Sequence, residues 1–299
     1  MEYVIINKKL LPRNRALISF EQRACRFGDG VFETCLVSKG VVYNFENHLN
    51  RLEGGLLALE INNFDSIKLS RDLIKYSYLL IKKNNLSNGI LRISVSRGIG
   101  SKGYLPTNKT KPLIIIETLT KAKLPEVEII LGVSKIKRPS LSSLPVCFKT
   151  MQSMSSIIAK IAASKAGNFD DIMLNGDNFI AEVSSANIFW IKNNQLYTPA
   201  LGCDILSGTV RQKIIDLYLA KYDKKVKEVK AKILALKEAD EVFLTNASHG
   251  VIRVDKIKFD YPDIAENTIK YEQQISSQIK EIINSDVKNY VKIKKTQLD

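Results

Sequence analysis

Three features of the chain have residue types that could do chemistry together: Lys149, the acid Glu182, and the turn from Ser207 to Thr209. A lysine amine can bind an aldehyde cofactor as a Schiff base and then move protons. A carboxylate can keep a pyridine nitrogen protonated, so that the ring accepts electrons. A Ser-Gly-Thr turn before a helix presents backbone N–H groups to a phosphate. The residue types and their order therefore predict the chemistry of a pyridoxal phosphate enzyme.

Each of these features also has an ordinary structural explanation. A lone lysine is usually a surface charge, but the apolar residues beside Lys149 favour burial, which favours the uncharged amine that forms an imine. An acid in a strand more often faces water, although the polar residues after Glu182 could line a site. The turn could simply cap the next helix, and this does not exclude anion binding.

Arg51 is a further candidate, because it follows His48 by three residues and shares a face of the predicted helix with it. An arginine beside an apolar stripe could hold a phosphate through two parallel hydrogen bonds. His48 is more consistent with packing or support than with a catalytic base. The roles of His249 and Cys25 stay open.

Composition indicates a globular protein of two domains. The chain has 299 residues, of which 45% are hydrophobic and 25% are charged. We expect no membrane partner, since no apolar run is long enough to cross a bilayer and the N-terminus lacks the layout of a signal peptide. The cysteines contain no C-x-x-C pair, which predicts neither a disulfide framework nor a metal site and favours a reducing cytoplasm. They are Cys25, Cys35, Cys147 and Cys203.

The net charge of +14 admits two explanations, a solvated surface or a nucleic-acid partner. Lysines are dense only at 221–232 and 291–297, and neither an RNA-binding aromatic motif nor a Cys/His finger accompanies them. We therefore expect a solvated surface that can also attract an anionic ligand, and no nucleic-acid partner. A basic nucleic-acid-binding protein remains the hypothesis from another functional class.

The first 119 residues predict an α+β domain. Two short strands flank Asn7 and Lys8, and a hairpin is indicated around Lys39 and Gly40. Helical spacing begins at about residue 46, and a second helix is predicted from an N-cap near Ser70 to the Asn84–Asn85 breaker. Two β-rich segments complete this domain.

Residues 120–127 lose periodicity and contain Pro125, so we expect an interdomain linker there, then a domain at 128–290 and a tail at 291–299. Asn-rich turns predict hairpins in this second domain. Its predicted helices come after Lys149 and at 209–222 and 266–284.

Seven segments carry a shared pattern along the chain. They are RFGDGVFET at 26–34, NHLNRL at 47–52, SRGIGSKGYLP at 96–106, FKT at 148–150, AEVSSANIF at 181–189, LSGTVR at 206–211 and DEVFLTNA at 240–247. In this order they resemble the class IV aminotransferases, the fold-type-IV pyridoxal phosphate family. That family includes branched-chain aminotransferases, D-amino-acid aminotransferases and aminodeoxychorismate lyases.

The resemblance implies an α/β N-terminal domain and a pseudo-barrel C-terminal domain with pyridoxal 5'-phosphate between them. It also implies a homodimer that acts on a small, amino-acid-like anionic substrate. Lys149 would be the Schiff-base lysine, Glu182 the partner of the pyridine nitrogen, and Arg51 a ligand of the phosphate. The other implied cofactor-binding residues are Ser185, Gly208, Thr209, Val210, Asn246 and Ala247.

Lys102 and Tyr104 bear on the choice of reaction within the family. D-amino-acid aminotransferases carry an Arg-x-His pair at the corresponding positions, whereas aminodeoxychorismate lyases show Arg-Gly-Tyr, which is similar to Lys-Gly-Tyr here. A lysine keeps the charge of an arginine but loses its bidentate fork. The segment RACRFGDG at 23–30 also looks more like the lyase, whereas SHGVIRV after Ala247 departs from the family pattern.

The resemblance therefore favours an aminodeoxychorismate lyase, which releases pyruvate and 4-aminobenzoate on the folate route. The alternative is transamination of a branched-chain or D-amino acid with the same cofactor. In either case Lys102, Tyr104 and Arg97 are the candidates that bind the substrate carboxylate. Arg97 could instead be a structural ion-pair partner.

Overall fold

The computed structural model describes residues 2–107, 110–261 and 264–298, and the chain divides into two units. Unit 1 comprises Met1–Ala122, Phe148–Gln152 and Val287–Asp299. Unit 2 comprises Lys123–Cys147 and Ser153–Asp286. The short segment that carries Lys149 therefore belongs to unit 1, although the residues on both sides of it belong to unit 2.

Unit 1 contains an antiparallel sheet with helices. Its strands are β1 (Tyr3–Ile6), β2 (Lys9–Pro12), β3 (Gly30–Ser38), β4 (Val41–Val42), β5 (Gly89–Ser96) and β6 (Leu113–Leu119). Its helices before residue 122 are α1 (Arg23–Phe27), α2 (Phe45–Ala58) and α3 (Ser66–Lys83). The sheet order is β2-β1-β6-β5-β3-β4, so that β3 and β5 lie side by side near one end.

The predicted hairpins of unit 1 are confirmed. Asn7 and Lys8 have φ angles of 47° and 71°, which a tight turn between β1 and β2 requires. The second helix, predicted to start near Ser70, begins one turn earlier at Ser66. The reason is that Asp65 acts as the N-cap and its carboxylate accepts a hydrogen bond of 2.9 Å from the Lys68 N–H.

The core of unit 1 includes the buried face of β3 and helices α2 and α3. Alternate residues of β3 are buried, and Val31, Cys35 and Val37 belong to one apolar cluster with leucines of α2. Glu33 occupies the same buried face and is 1% exposed. A carboxylate at an apolar position of a strand needs ionic partners.

Unit 2 contains a larger sheet and further helices. Its elements are β7 (Ile130–Val133), α4 (Met154–Lys165), β8 (Asp170–Leu174), β9 (Ile180–Val183), β10 (Ala186–Lys192), β11 (Gln195–Pro199), α5 (Thr209–Tyr222), β12 (Lys227–Val229), α6 (Leu234–Lys237), β13 (Glu241–Asn246), β14 (Gly250–Arg253), β15 (Lys256–Tyr261) and β16 (Ile264–Lys270). The sheet order is β12-β11-β10-β9-β8-β7-β15-β16, and β13 pairs with both β10 and β14.

The last helix, α7 (Gln274–Leu298), differs from expectation at both ends. The prediction of a helix from residue 266 is wrong, because 264–270 instead pair with β15 as a strand. The buried Glu241 carboxylate accepts hydrogen bonds of 2.7 and 2.8 Å from the N–H groups of Ile275 and Ser276, so α7 begins there. Residues 291–298, expected as part of a tail, continue the helix, and Val291 is buried.

The surface features agree with a solvated basic protein. The lysines of 221–232 are exposed, and β12 within this segment is an edge strand. Lysines on an edge strand oppose pairing with the sheet of another molecule. Within the described ranges, the structure has no helix with the length and apolarity needed to span a bilayer.

Candidate active site

Lys149 is held in unit 1 by the main chain of β3. The Phe32 N–H donates a hydrogen bond of 2.9 Å to the Lys149 carbonyl, and Val31 forms an isolated antiparallel bridge with Thr150. The Lys149 Nζ lies 4.6 Å from the centroid of the Phe32 ring. The lysine is therefore fixed by backbone pairing and contacts an aromatic face through its amine.

Helix α2 packs closely against the residue that precedes Lys149. A Cβ added to Gly54 would lie 2.5 Å from the Phe148 ring, and one added to Gly55 would lie 2.9 Å from Val31. Only glycine at positions 54 and 55 allows α2 to lie this close to β3 and to Phe148. The same helix carries Arg51, so unit 1 positions Lys149 and Arg51 with shared elements.

Arg51 contacts a buried carboxylate that sequence reasoning missed. Its Nε and Nη2 donate hydrogen bonds of 2.7 Å each to the two oxygens of Glu33, and His48 Nδ1 lies 2.6 Å from Glu33 Oε2. Burial raises the pKa of Glu33, but the charge and hydrogen bonds of Arg51 and His48 outweigh it and lower that pKa to about 2. Glu33 therefore stays ionised and orients the guanidinium. His48 is a support residue here, as the sequence indicated.

Cys35 completes this cluster on the next inward position of β3. Ligand atoms of Glu33, Cys35 and His48 lie within 4.8 Å of one another. Burial, and then the charge of Glu33, raises the pKa of the Cys35 thiol. A protonated thiol beside a guanidinium is a poor cation ligand, so the cluster is best described as an ionic support for Arg51.

Lys102 and Tyr104 lie on an exposed loop whose main chain is bound by the buried side chain of Arg23. Tyr104 is 87% exposed, whereas Arg23 is 4% exposed. The Arg23 guanidinium donates to the carbonyls of Gly103 at 2.7 Å and of Tyr104 at 2.8 Å. Its Nε donates to Asp29 at 2.7 Å. Arg23 lies in the family segment at 23–30 but has no role predicted from the sequence, and in the structure it anchors this loop.

Arg97 is engaged with structural partners. Its Nε donates to Asp29 at 2.8 Å, and its terminal nitrogens donate to the carbonyls of Leu59 and Glu60 at 2.5 and 2.9 Å. These carbonyls lie just beyond the end of α2. The contacts favour the ion-pair interpretation of Arg97 over direct substrate binding.

In unit 2, Glu182 lies on β9 and is 5% exposed. Its Oε2 accepts hydrogen bonds from Asn187 Nδ2 at 2.9 Å and from the Leu206 N–H at 3.1 Å. Its Oε1 is 2.9 Å from Arg138 Nη2. Arg138 is a second residue of the candidate site that the sequence did not predict, since its lysine-rich surroundings suggest a surface position.

Strand register brings further predicted residues together. Asn187 of β10 lies opposite Glu182 of β9 on one side and opposite Thr245 of β13 on the other. Beyond this row, Asn246 Nδ2 lies 3.5 Å from the Ser185 carbonyl. Ala247 comes directly after β13 and packs at the edge of an apolar cluster.

The predicted phosphate turn lies at the start of α5, where Gly208 is the N-cap and Thr209 the first helical residue. A Cβ on Gly208 would lie 1.9 Å from Asn187 Oδ1, so no larger residue fits there. The Asn187 Nδ2 also donates to the Leu206 carbonyl at 3.0 Å. Asn187 therefore ties the turn to Glu182. Thr209 and Val210 are buried in the first turn of the helix.

These residues fit pyridoxal phosphate by their chemistry. A helix N-terminus with a glycine cap and its positive dipole suits a phosphate, and a buried, hydrogen-bonded carboxylate suits a protonated pyridine nitrogen. Unit 2 provides both, and Asn187 connects them. Unit 1 provides a lysine with a fixed main chain and an oriented arginine.

Comparison with known proteins gives the family. The class IV amino-transferase family model matches residues 30–257. The D-alanine aminotransferase of Staphylococcus epidermidis is 30% identical over 260 residues, which is 86% of this chain and 89% of that protein. The aminodeoxychorismate lyase of Vibrio harveyi is 28% identical over 249 residues, which is 80% of this chain and 89% of that protein.

The fold is also similar to that of solved structures. The branched-chain amino acid aminotransferase of Escherichia coli superposes with a TM-score of 0.83 at 22% identity, covering 94% of this chain and 92% of that one. The expected fold class, an α+β fold-type-IV enzyme with a pseudo-barrel domain, is confirmed. Enzymes of the matched family depend on pyridoxal 5'-phosphate, as transaminases or lyases, so the predicted cofactor is confirmed too. The chain belongs to the class IV aminotransferases.

Proposed function

We propose that this protein is an aminodeoxychorismate lyase that releases pyruvate and 4-aminobenzoate. The observation that carries the choice is the exposed Lys102-Gly103-Tyr104 loop, which buried Arg23 fastens through two carbonyls. This loop presents a cation and a phenol outward on a fixed main chain. An aminodeoxychorismate substrate carries carboxylates, and a lysine provides the charge to bind one.

The cofactor roles in this proposal are those that the family resemblance implies. When bound, pyridoxal phosphate supplies an electron sink for the substrate carbon next to the amine. Lys149 binds the cofactor and moves the proton at that carbon. Glu182 holds a proton on the pyridine nitrogen. The phosphate is bound by Arg51 and by the backbone N–H groups of Thr209 and Val210.

Other residues have supporting roles in this proposal. Gly208 gives the phosphate room, and Ser185, Asn246 and Ala247 border the cofactor. Arg97 supports the end of α2 and the Asp29 turn and does not bind substrate. The substrate carboxylate is bound by Lys102, with Tyr104 beside it.

A second candidate is transamination of a D-amino acid, which the 30% identity to a D-alanine aminotransferase favours. Both reactions begin with removal of the proton next to the amine. They differ in the next step, because in a lyase Lys149 would deliver the proton as the enolpyruvyl group leaves, whereas in a transaminase the amino group would be kept for transfer to a keto acid. The cofactor-binding residues serve both, so the substrate loop decides.

The test is a product assay on the purified protein with pyridoxal phosphate. With aminodeoxychorismate we expect equal amounts of pyruvate and 4-aminobenzoate. Parallel reactions with D-alanine plus 2-oxoglutarate, and with glutamate plus branched-chain keto acids, should give little product. Turnover confined to the transfer reactions would overturn the lyase assignment and support the second candidate.

Variants connect the assay to the loop. Lys102→Ala should raise KM about tenfold or more, because one charge-assisted contact is lost, with less change in kcat. Lys68→Ala, on an exposed face of α3, is the matched control and should leave KM unchanged. Equal KM values for both variants would remove Lys102 from the substrate site.

We also propose that the enzyme is a cytoplasmic homodimer. The basis is the family resemblance together with cysteines that carry no pairing pattern. Light scattering of the purified protein should give twice the chain mass of 33.6 kDa. A monomeric mass would contradict the assembly.

A further inference from the structure

Arg138 is a largely buried cation of unit 2, with a side chain 10% exposed. It lies in the loop after β7, and its own N–H donates to the Leu174 carbonyl at 2.9 Å. The guanidinium reaches Glu182 Oε1 at 2.9 Å through Nη2 and the Asp204 carbonyl at 3.2 Å through Nε. Nη1 lies 3.4 Å from Ser156 Oγ.

The contact with Arg138 compensates the buried charge of Glu182. A carboxylate that is 5% exposed loses most of its hydration, and removal of its cation would leave an uncompensated buried charge. Asn187 and the Leu206 N–H supply neutral donors to Oε2. Arg138 supplies positive charge to the other oxygen, Oε1, and a guanidinium nearby favours the ionised form of a carboxyl group.

The contact with Asp204 extends the same fixation toward the phosphate turn. Asp204 has a φ of 61°, a left-handed conformation that needs support from its surroundings. Its carbonyl accepts from Arg138, and its Oδ1 accepts from the Leu141 N–H at 2.8 Å. Leu206, two residues on, donates to Glu182. One arginine thus fastens the acid and the loop that leads to Gly208.

We propose that Arg138 is a positioning residue for the cofactor. It holds the Glu182 carboxylate ionised and in a fixed orientation, so that this oxygen pair can keep the pyridine nitrogen protonated. It also fixes the approach of the loop to the phosphate turn. The inference rests on the proposed function, because it assigns Glu182 to the pyridine nitrogen. Arg138 itself acts through Glu182 and Asp204 and need not contact the cofactor.

The competing explanation is a purely structural ion pair. In that case Arg138 variants would lower the stability of the protein without a specific effect on the cofactor. A double-mutant cycle separates the two explanations, because coupling between Arg138 and Glu182 in cofactor affinity is expected only when Arg138 acts through Glu182.

The experiment is a titration of pyridoxal phosphate into proteins freed of cofactor by dialysis against hydroxylamine, monitored by the absorption band of the bound cofactor. Arg138→Met should weaken binding about 10- to 100-fold, as expected when a buried charged partner is removed. Arg138→Lys, which retains the charge without the fork, should recover part of that loss. Arg253→Met, an exposed arginine of unit 2, is the control and should bind as the wild type does.

The cycle uses Glu182→Gln and the double variant. In the Glu182→Gln background, Arg138→Met should change the affinity less than about threefold, because only the contact with the Asp204 carbonyl is still lost. The band of bound cofactor should shift in Arg138→Met toward its position in Glu182→Gln. Thermal melts of the cofactor-free proteins establish that each variant is folded. If Arg138→Met does not fold, the titration and the cycle are done with Arg138→Lys.

The outcomes separate this inference from the proposed function. Wild-type protein that binds no pyridoxal phosphate would overturn both. Wild-type binding with an unchanged affinity in the Arg138 variants, or with additive losses in the cycle, would overturn the role of Arg138 alone. A loss that the lysine variant partly recovers and that falls below about threefold in the Glu182→Gln background would support it.

Discussion

The two units each contain a buried carboxylate paired with an arginine, and the two pairs are built differently. In unit 1, Glu33 accepts from two nitrogens of Arg51 at 2.7 Å each and from His48 at 2.6 Å. In unit 2, Glu182 Oε1 contacts Arg138 at 2.9 Å, whereas its Oε2 accepts from neutral donors. The first pair is a closed ionic cluster, and the second belongs to a hydrogen-bond network.

This difference bears on which residue of each pair we propose to contact the cofactor. The side chain of Glu33 is 1% exposed and that of Arg51 is 9%, so the arginine is the partner that a ligand can reach. Exposure does not separate Glu182 from Arg138, at 7% and 10%. Their positions do separate them, because Glu182 lies on β9 opposite Asn187 of β10, which contacts the phosphate turn. We therefore propose that the acid supports the arginine in unit 1, whereas the arginine supports the acid in unit 2.

Removing the charge of Glu33 should have the largest effect on folding. Glu33→Gln leaves the Arg51 guanidinium buried without its counter-ion, which we expect to lower the free energy of unfolding by about 3–5 kcal/mol. Urea denaturation of the cofactor-free protein measures it. The matched control is Glu46→Gln, whose carboxylate pairs with Lys294 at the surface and is 77% exposed. Equal stability of both variants would break the ionic-cluster interpretation.

Acid should reveal the same cluster without a mutation. The pKa of Glu33 is lowered from its ordinary 4.5 to about 2, because Arg51 and His48 outweigh burial. Since the folded pKa is the lower one, its stabilisation of about 3 kcal/mol is present above pH 4.5 and is lost as the pH falls toward 2. Urea titrations at pH 5, 4 and 3 should show a decline that is reduced in Glu33→Gln. Parallel pH curves for the two proteins would contradict this.

A smaller effect on folding is expected at the turn of unit 2. In Gly208→Ala the new Cβ would lie 1.9 Å from Asn187 Oδ1, so the turn must move, at a cost of about 1–3 kcal/mol. Affinity for pyridoxal phosphate should fall as well, because the N–H groups of the first helical turn are displaced. In Gly176→Ala, the control in the same unit, the Cβ meets open space. If the two alanine variants bind the cofactor equally, the turn does not hold its phosphate.

The smallest effect is expected at an exposed pair. Lys192 and Glu238 form a salt bridge at the surface of unit 2, with side chains 37% and 65% exposed. Glu238→Gln should leave the melting temperature unchanged within error, because solvent screens such pairs. A clear loss would mean that exposure is a poor guide to the importance of ion pairs in this protein.

Local patterns predicted much of the fold and part of the site. The helical spacing of His48 and Arg51 placed them on one face, and the Ser-Gly-Thr turn predicted the start of α5. These signals are contained within a few neighbouring residues. The burial of Glu33 could also have been predicted, because it alternates with Val31 and Cys35 on the same face of β3, which is otherwise apolar.

Other features depend on contacts distant in sequence. Arg138 lies in SKIKRP, where nothing local distinguishes it from the surface lysines, and only the fold brings it to Glu182. The start of α7 depends on Glu241, about 30 residues earlier, and on the pairing of β16 with β15. Helical periodicity cannot show either contact, which is why the helix was predicted to begin too early.

The central claim, that Lys149 binds pyridoxal phosphate, has a direct test. The protein is incubated with the cofactor, reduced with borohydride, digested, and analysed by mass spectrometry. We expect one phosphopyridoxyl group per chain, on the peptide that contains Lys149, and none in Lys149→Ala. A label on a different lysine, or an unlabelled wild-type chain, would contradict the account.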